Sequence, residues 1–81
     1  MTFKEKYLKC ETWHDKAIII NFYHKLKCHQ EHRWSIRKTA RYFEKSIGFI
    51  CEEIQLAESM DNLIIYKTRK DALLHLKENK S

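Results

Sequence analysis

Between Arg33 and Ser46 the chain carries Arg33, Arg37, Lys38, Arg41 and Lys45 against one acid, Glu44. Cations at this density are what a protein uses to hold phosphate oxygens, since each neutralises a charge on a polyanion whatever its sequence. The segment that follows, Ile47 to Asp61, reverses the balance, with four acids and no cation. At the boundary stands Ser46, a residue suited to capping a helix whose free N–H groups attract an anion. Further on, Gln55 could pair bidentately with an adenine edge, and Glu52 could accept from the amino group of cytosine. Gly48 would let a backbone come close, and Ile47 and Cys51 border the same strip. These residues could position phosphate and read bases, but Glu52 and Glu53 stand where phosphate would favour lysine.

A second set could bind metal. Cys10 and His14, His24 and Cys28, and Cys28 and His32 are each spaced i, i+4, which puts two ligands on one helix face. Zinc needs four converging donors. There is no Cys-x-x-Cys, and one straight helix would hold the first pair away from the others. No metal and no other cofactor is expected. Cys51 is assigned to packing rather than nucleophilic attack. Trp13, Trp34 and Tyr42 are assigned to packing rather than base stacking. No Gly-x-Ser-x-Gly, P-loop or evident acid pair occurs, and 81 residues leave little room for a deep cleft, so no enzyme is expected.

Composition sets the frame for these residues. One glycine and no proline argue against a turn-rich β fold, and 43% hydrophobic residues suffice for one small helical domain over 1–81. The net charge of +5 suits a polyanionic partner. The longest apolar runs, "AIII" and "LIIY", are far too short for a membrane span. No secretory leader is visible, so the expected location is the cytoplasm, at the nucleoid, with the three cysteines reduced.

Capping signals divide the chain. Thr2-Phe-Lys-Glu5 predicts a short first helix and Thr12-Trp-His-Asp15 a longer one to about Glu31, although nothing between them forbids a continuous helix. Along the longer helix Ile18, Ile19, Phe22, Leu26 and His29 fall on one face, taken as the core side. Trp13, Ala17, Ile20, His24 and Cys28 fall on the other, so the helix is expected to be sandwiched, by the chain itself or by a second protomer. Ser35 should cap a short helix with Ile36, Ala40 and Phe43 inward and Arg37, Lys38 and Arg41 outward. Ser46 should cap the next, with Ile47, Ile50, Ile54 and Ala57 inward, until "SMDN" ends it. "LIIY" reads as an extended connector or part of the following helix. Thr68-Arg-Lys-Asp71 then opens a last helix through Ala72, Leu73, Leu74 and Leu76, and the tail "KENKS" should fray.

The stretch "KTARYFEKSIGFICEEIQ", Lys38 to Gln55, resembles a helix-turn-helix. Ala40 supplies the small residue where two short helices cross, Phe43 the apolar residue three later, Ser46 the cap and Ile50 the β-branched residue in the second helix. One departure is Glu44, which occupies the turn position usually held by glycine, so the turn must be strained or adopt another geometry. Within the superfamily "FEKSIGFICEEIQLAESM" is similar to partition proteins of the ParB/KorB type and to small phage or plasmid regulators.

The resemblance implies an all-α fold of four or five short helices around a helix-turn-helix at about 35–58. It also implies sequence-selective binding of double-stranded DNA. Ile47, Gly48, Cys51, Glu52 and Gln55 would then face bases, and Arg33, Arg37, Lys38, Arg41, Lys45 and Ser46 would face phosphates. A homodimer would strengthen such binding. The alternative is an adaptor that binds another protein through Ile47, Phe49, Cys51 and Leu56.

Overall fold

The computed structural model describes residues 2–78, and over that range the chain is all-α. Six helices follow one another: α1 (Phe3–Lys9), α2 (Trp13–Gln30), α3 (Ile36–Phe43), α4 (Ile47–Glu58), α5 (Met60–Leu63) and α6 (Arg69–Glu78). The number exceeds the expected four or five because "SMDN" does more than stop α4. Ser59 ends α4, and Met60–Leu63 adds a separate single turn. Nor are all the helices short, since α2 runs 18 residues.

The caps explain the boundaries. Thr2 and Glu5 close a reciprocal capping box at the start of α1. The Thr12 hydroxyl accepts from the Asp15 N–H at 3.2 Å, and Thr68 does the same for Asp71 at 3.2 Å. A helix whose first N–H groups are satisfied by a side chain starts there rather than continuing its predecessor. Thus α1 and α2 are separate. Ser35 is a correction: it stands at the start of α3, but its side chain makes no cap hydrogen bond.

α2 is the spine, packing against α1, α3 and above all α4. Its inner face is not the one expected. Ala17, Ile20 and Tyr23 are buried, whereas Ile18 is 45% and Phe22 59% exposed, and His29 is exposed. Both faces are apolar, so hydrophobicity alone does not choose between them. Size does: Ala17 packs in a cluster with Leu56, Leu63 and Ala72, and a methyl there lets the helices approach. Around the middle of α2, Tyr23 gathers the aromatic residues. Its ring stacks on Tyr42 at 4.3 Å and meets Phe43 at 5.2 Å, Phe3 at 5.4 Å and Trp34 at 6.0 Å. Tyr7, Ile20, Ala40 and Ile50 complete that core.

One further inward assignment fails. Ile47 is exposed, while Glu53 occupies the core stripe of α4 beside Ile50 and Leu56. "LIIY" is split: Leu63 is buried in α5, and Ile64 and Ile65 are exposed in the turn after it. The C-terminal helix packs within the chain, with Ala72 buried and Leu73 and Leu76 against the Leu56 cluster. Of the tail, Lys77 and Glu78 belong to α6, and residues 79–81 lie outside the described residues. No helix among the described residues is long and apolar enough to cross a membrane.

Candidate nucleic-acid interface

α3 is strongly two-sided. Thr39, Ala40 and Phe43 are buried, and Arg37, Lys38 and Arg41 are exposed on its other side. The helix is anchored to α2 by a polar node under its middle. The Thr39 hydroxyl accepts from Trp34 Nε1 at 2.8 Å and lies 2.6 Å from His24 Nδ1. Burial, followed by the nearby charge of Lys25, pushes the His24 imidazole below the usual histidine range, so at neutral pH the node is uncharged. It fixes α3 without spending any of the helix's cations.

The turn from α3 to α4 is left-handed at a residue other than glycine. Glu44 sits at φ 57° and ψ 44°, the sole positive φ among the described residues. The Lys45 N–H reaches back to the Ala40 carbonyl at 2.9 Å and the Glu44 N–H to the Arg41 carbonyl at 3.2 Å. This pair of bonds is a Schellman close, which normally recruits glycine. Of the two options the sequence left, the turn takes the strained one. What the side chain brings in exchange is an ion pair with Lys4 of α1. The Lys4 ammonium, through its hydrogen bond and charge, holds the Glu44 carboxyl below the ordinary glutamate value.

From this turn α4 emerges with Ser46 capping it, its Oγ accepting from the Phe49 N–H at 3.1 Å. No acid lies in the first turn. Lys45, Ser46, Ile47 and Gly48 are all exposed, and a Cβ added to Gly48 would meet nothing within 4 Å. Gly48, Cys51 and Gln55 line up along the outer side of α4, with Cys51 half-buried and Gln55 exposed. Gln55 also borders an open cleft with Glu58, Ser59, Asn62, His75 and Leu76. Lys45 lies 5.5 Å above the Phe49 ring and Lys38 5.5 Å above the Trp34 ring, so aromatic faces direct two of the cations.

The carboxylates are the part that sequence reasoning missed. Glu53 is 1% exposed and bonded to Arg69 Nε, while Arg69 Nη2 donates to Glu52 Oε1 at 3.1 Å. The first residue of α6 therefore grips both acids of α4, its guanidinium also lying 4.6 Å from the Phe49 ring. Burial pushes the Glu53 carboxyl up, and the hydrogen bond and charge of Arg69 pull it back. Glu52, assigned to base reading, thus has Oε1 engaged by Arg69. Glu58 pairs with Lys25 at 3.8 Å and Glu44 with Lys4. By contrast Arg33, Arg37, Lys38, Arg41 and Lys45 pair with no carboxylate among the described residues. One signal could have located the clamp: Glu53 falls three residues after Ile50 on the core stripe, and a buried carboxylate needs a cation.

Elsewhere, the thiol of Cys28 lies 3.5 Å from His24 Nε2 and that of Cys10 donates to the Lys6 carbonyl at 3.1 Å. No group of three His, Cys, Asp or Glu side chains suited to a metal gathers among the described residues. Leu56 is fully buried, which removes it from any adaptor face on α4. No known protein family, curated protein or solved structure matches the chain.

Proposed function

We propose that the domain binds double-stranded DNA through α3 and the first half of α4. It would act without chemistry, as a sequence-selective factor of the small regulator or partition type from a phage, plasmid or bacterium, in the cytoplasm at the nucleoid. The observation that carries this reading is the sorting of charge. The acids nearest the interface, Glu44, Glu52 and Glu53, are held by Lys4 and Arg69, while the five cations from Arg33 to Lys45 are exposed and pair with no carboxylate among the described residues. A polyanion approaching the start of α4 meets unpaired cations, a capped helix end and no acid in the first turn.

In this docking the outer strip of α4 enters the major groove, Gly48 permits close backbone approach, and Gln55 reads an adenine. Arg33, Arg37, Lys38, Arg41, Lys45 and the Ser46 hydroxyl take the phosphates. Ile47 and Cys51 border the groove floor, and Glu52 can offer only what Arg69 leaves of its carboxylate. Fluorescence anisotropy on a random-sequence duplex across a salt series tests the reading. Affinity that falls steeply with salt is expected, because each phosphate contact releases counterions. A folded sample that binds no duplex even at low salt would sink it and turn the search to a protein partner.

A further inference from the structure

The side of α2 opposite its buried residues carries a stripe that the fold covers only at its edges, where Phe22 meets the Phe3 ring at 5.8 Å and Lys25 reaches Glu58. Asp15, Ile18, Phe22, Lys25 and His29 are all exposed and follow one another at steps of three, four, three and four. That spacing keeps one seam facing a partner helix over about four turns. The seam has a particular symmetry. Set antiparallel against a second copy, with the two-fold axis passing level with Ile20, Ile18 meets Phe22 of the other helix, and Asp15 meets Lys25. Glu11, exposed on the connector ahead of α2, lies at the end of the seam where the other helix brings His29. Opposite charges face each other at the Asp15–Lys25 layers, and the apolar layers are central. We infer that this stripe is a homodimer interface, an antiparallel pairing of α2 with α2 of an identical chain.

The parallel arrangement has none of this complementarity, since it would set Asp15 against Asp15 and Lys25 against Lys25. A groove lined by Lys6, Cys10, Thr12, Asp15, Ile18 and Ile19 runs beside the stripe and can receive the partner's Phe22 ring. Lys25 now leans toward Glu58 at 3.8 Å with both side chains more than half exposed, a contact weak enough to be exchanged. A specific interface covers about 600 Å² or more per partner, roughly a tenth of the 5877 Å² that the domain exposes. The pairing leaves α3 and α4 uncovered. Because it turns the outer strips of the two α4 helices away from each other, a dimer of this kind would hold two duplexes rather than two half-sites of one.

Sedimentation equilibrium on the intact 81-residue chain, over a concentration series and without DNA, tests the pairing independently of the DNA reading. The wild type is expected to be a monomer–dimer equilibrium. Ile18→Glu should abolish the dimer, while Asp15→Lys and Lys25→Glu should each weaken it by at least about tenfold. The double variant Asp15→Lys/Lys25→Glu should regain most of the loss, since the charges still oppose. Asp15 also sits in the first turn of α2, so circular dichroism accompanies each sample. If Asp15→Lys does not fold, Ile18→Glu and Lys25→Glu alone decide. A wild type that stays monomeric at every concentration overturns the pairing, and so does a dimer indifferent to these substitutions.

Discussion

Arginine does opposite work in two regions of this domain. Arg69 is drawn into the structure, with its guanidinium shared between Glu52 and Glu53 and laid on Phe49. Arg37 and Arg41 project from α3 with no acid partner and little to hold them. The difference lies in what faces each helix. The outer side of α3 faces solvent, so a charge there costs nothing to keep. α6 must cross α4 where Glu53 is already buried, and an unpaired carboxylate in that place would be expensive. One arginine is therefore a structural part and the others are available for a ligand. Net charge counts them alike, and only the fold tells them apart.

The contrast can be broken at its strongest point by Arg69→Met, which leaves Glu53 buried without a cation. Loss of one partner of a buried pair costs about 3–5 kcal/mol, and thermal unfolding should show it. The variant should also become more stable in acid. Burial raises the Glu53 carboxyl, and with Arg69 gone only the weaker pull of the Lys16 charge opposes it. The folded state then keeps a proton that the unfolded state releases. Its stability is greatest below the ordinary glutamate value and declines as pH climbs through the folded-state value. Unfolding curves that worsen toward low pH would show that Glu53 is not the group left exposed to the loss.

At the other arginines the same experiment should read almost nothing. Arg37→Ala/Arg41→Ala should leave stability within about 0.5 kcal/mol, yet reduce the salt slope of duplex binding by about 2. An unchanged slope would mean that these two side chains are only a solvated helix face. Gln55→Ala should act more narrowly, costing about 1–3 kcal/mol of discrimination at one base pair while random-sequence affinity stays put. A selection experiment on the wild type and variant would show whether one position of the site relaxes.

The smallest effect belongs to the turn. Glu44→Gly removes left-handed strain and an exposed ion pair together, so the melting temperature should move little. Lys4→Ala removes the pair alone and should lower it slightly. Because Lys4 holds the Glu44 carboxyl down, the pair contributes above the ordinary glutamate value and is lost as pH falls through the folded-state value. A Glu44→Gly protein much less stable than Lys4→Ala would assign the turn some further role for that side chain.

How far these arrangements were legible depends on whether the signal was local. Thr2, Thr12, Ser46 and Thr68 each mark a helix start within four residues, and each is used. The small residue at Ala40 and the apolar Phe43 placed the inner side of α3 for the same reason. The phase of α2 was not local. "AIIINF" offers an isoleucine to every direction, and the choice is made by Ala17 against Leu56, some forty residues away in sequence. The Arg69 clamp was hidden in the same way. Glu52 and Glu53 could be read as acids that repel phosphate only while their partner, sixteen residues beyond Glu53, went unconsidered.

That separation also orders events in time. A chain made from its N-terminus presents α4 complete, with Glu53 among its apolar residues, before Arg69 exists to meet it. Until α6 is synthesised, closing α4 onto α2 means burying either a bare carboxylate or a protonated one. The domain thus has reason to stay loose until α6 is whole, because that one helix brings both the cation for Glu53 and the apolar residues Ala72, Leu73 and Leu76 that close the core.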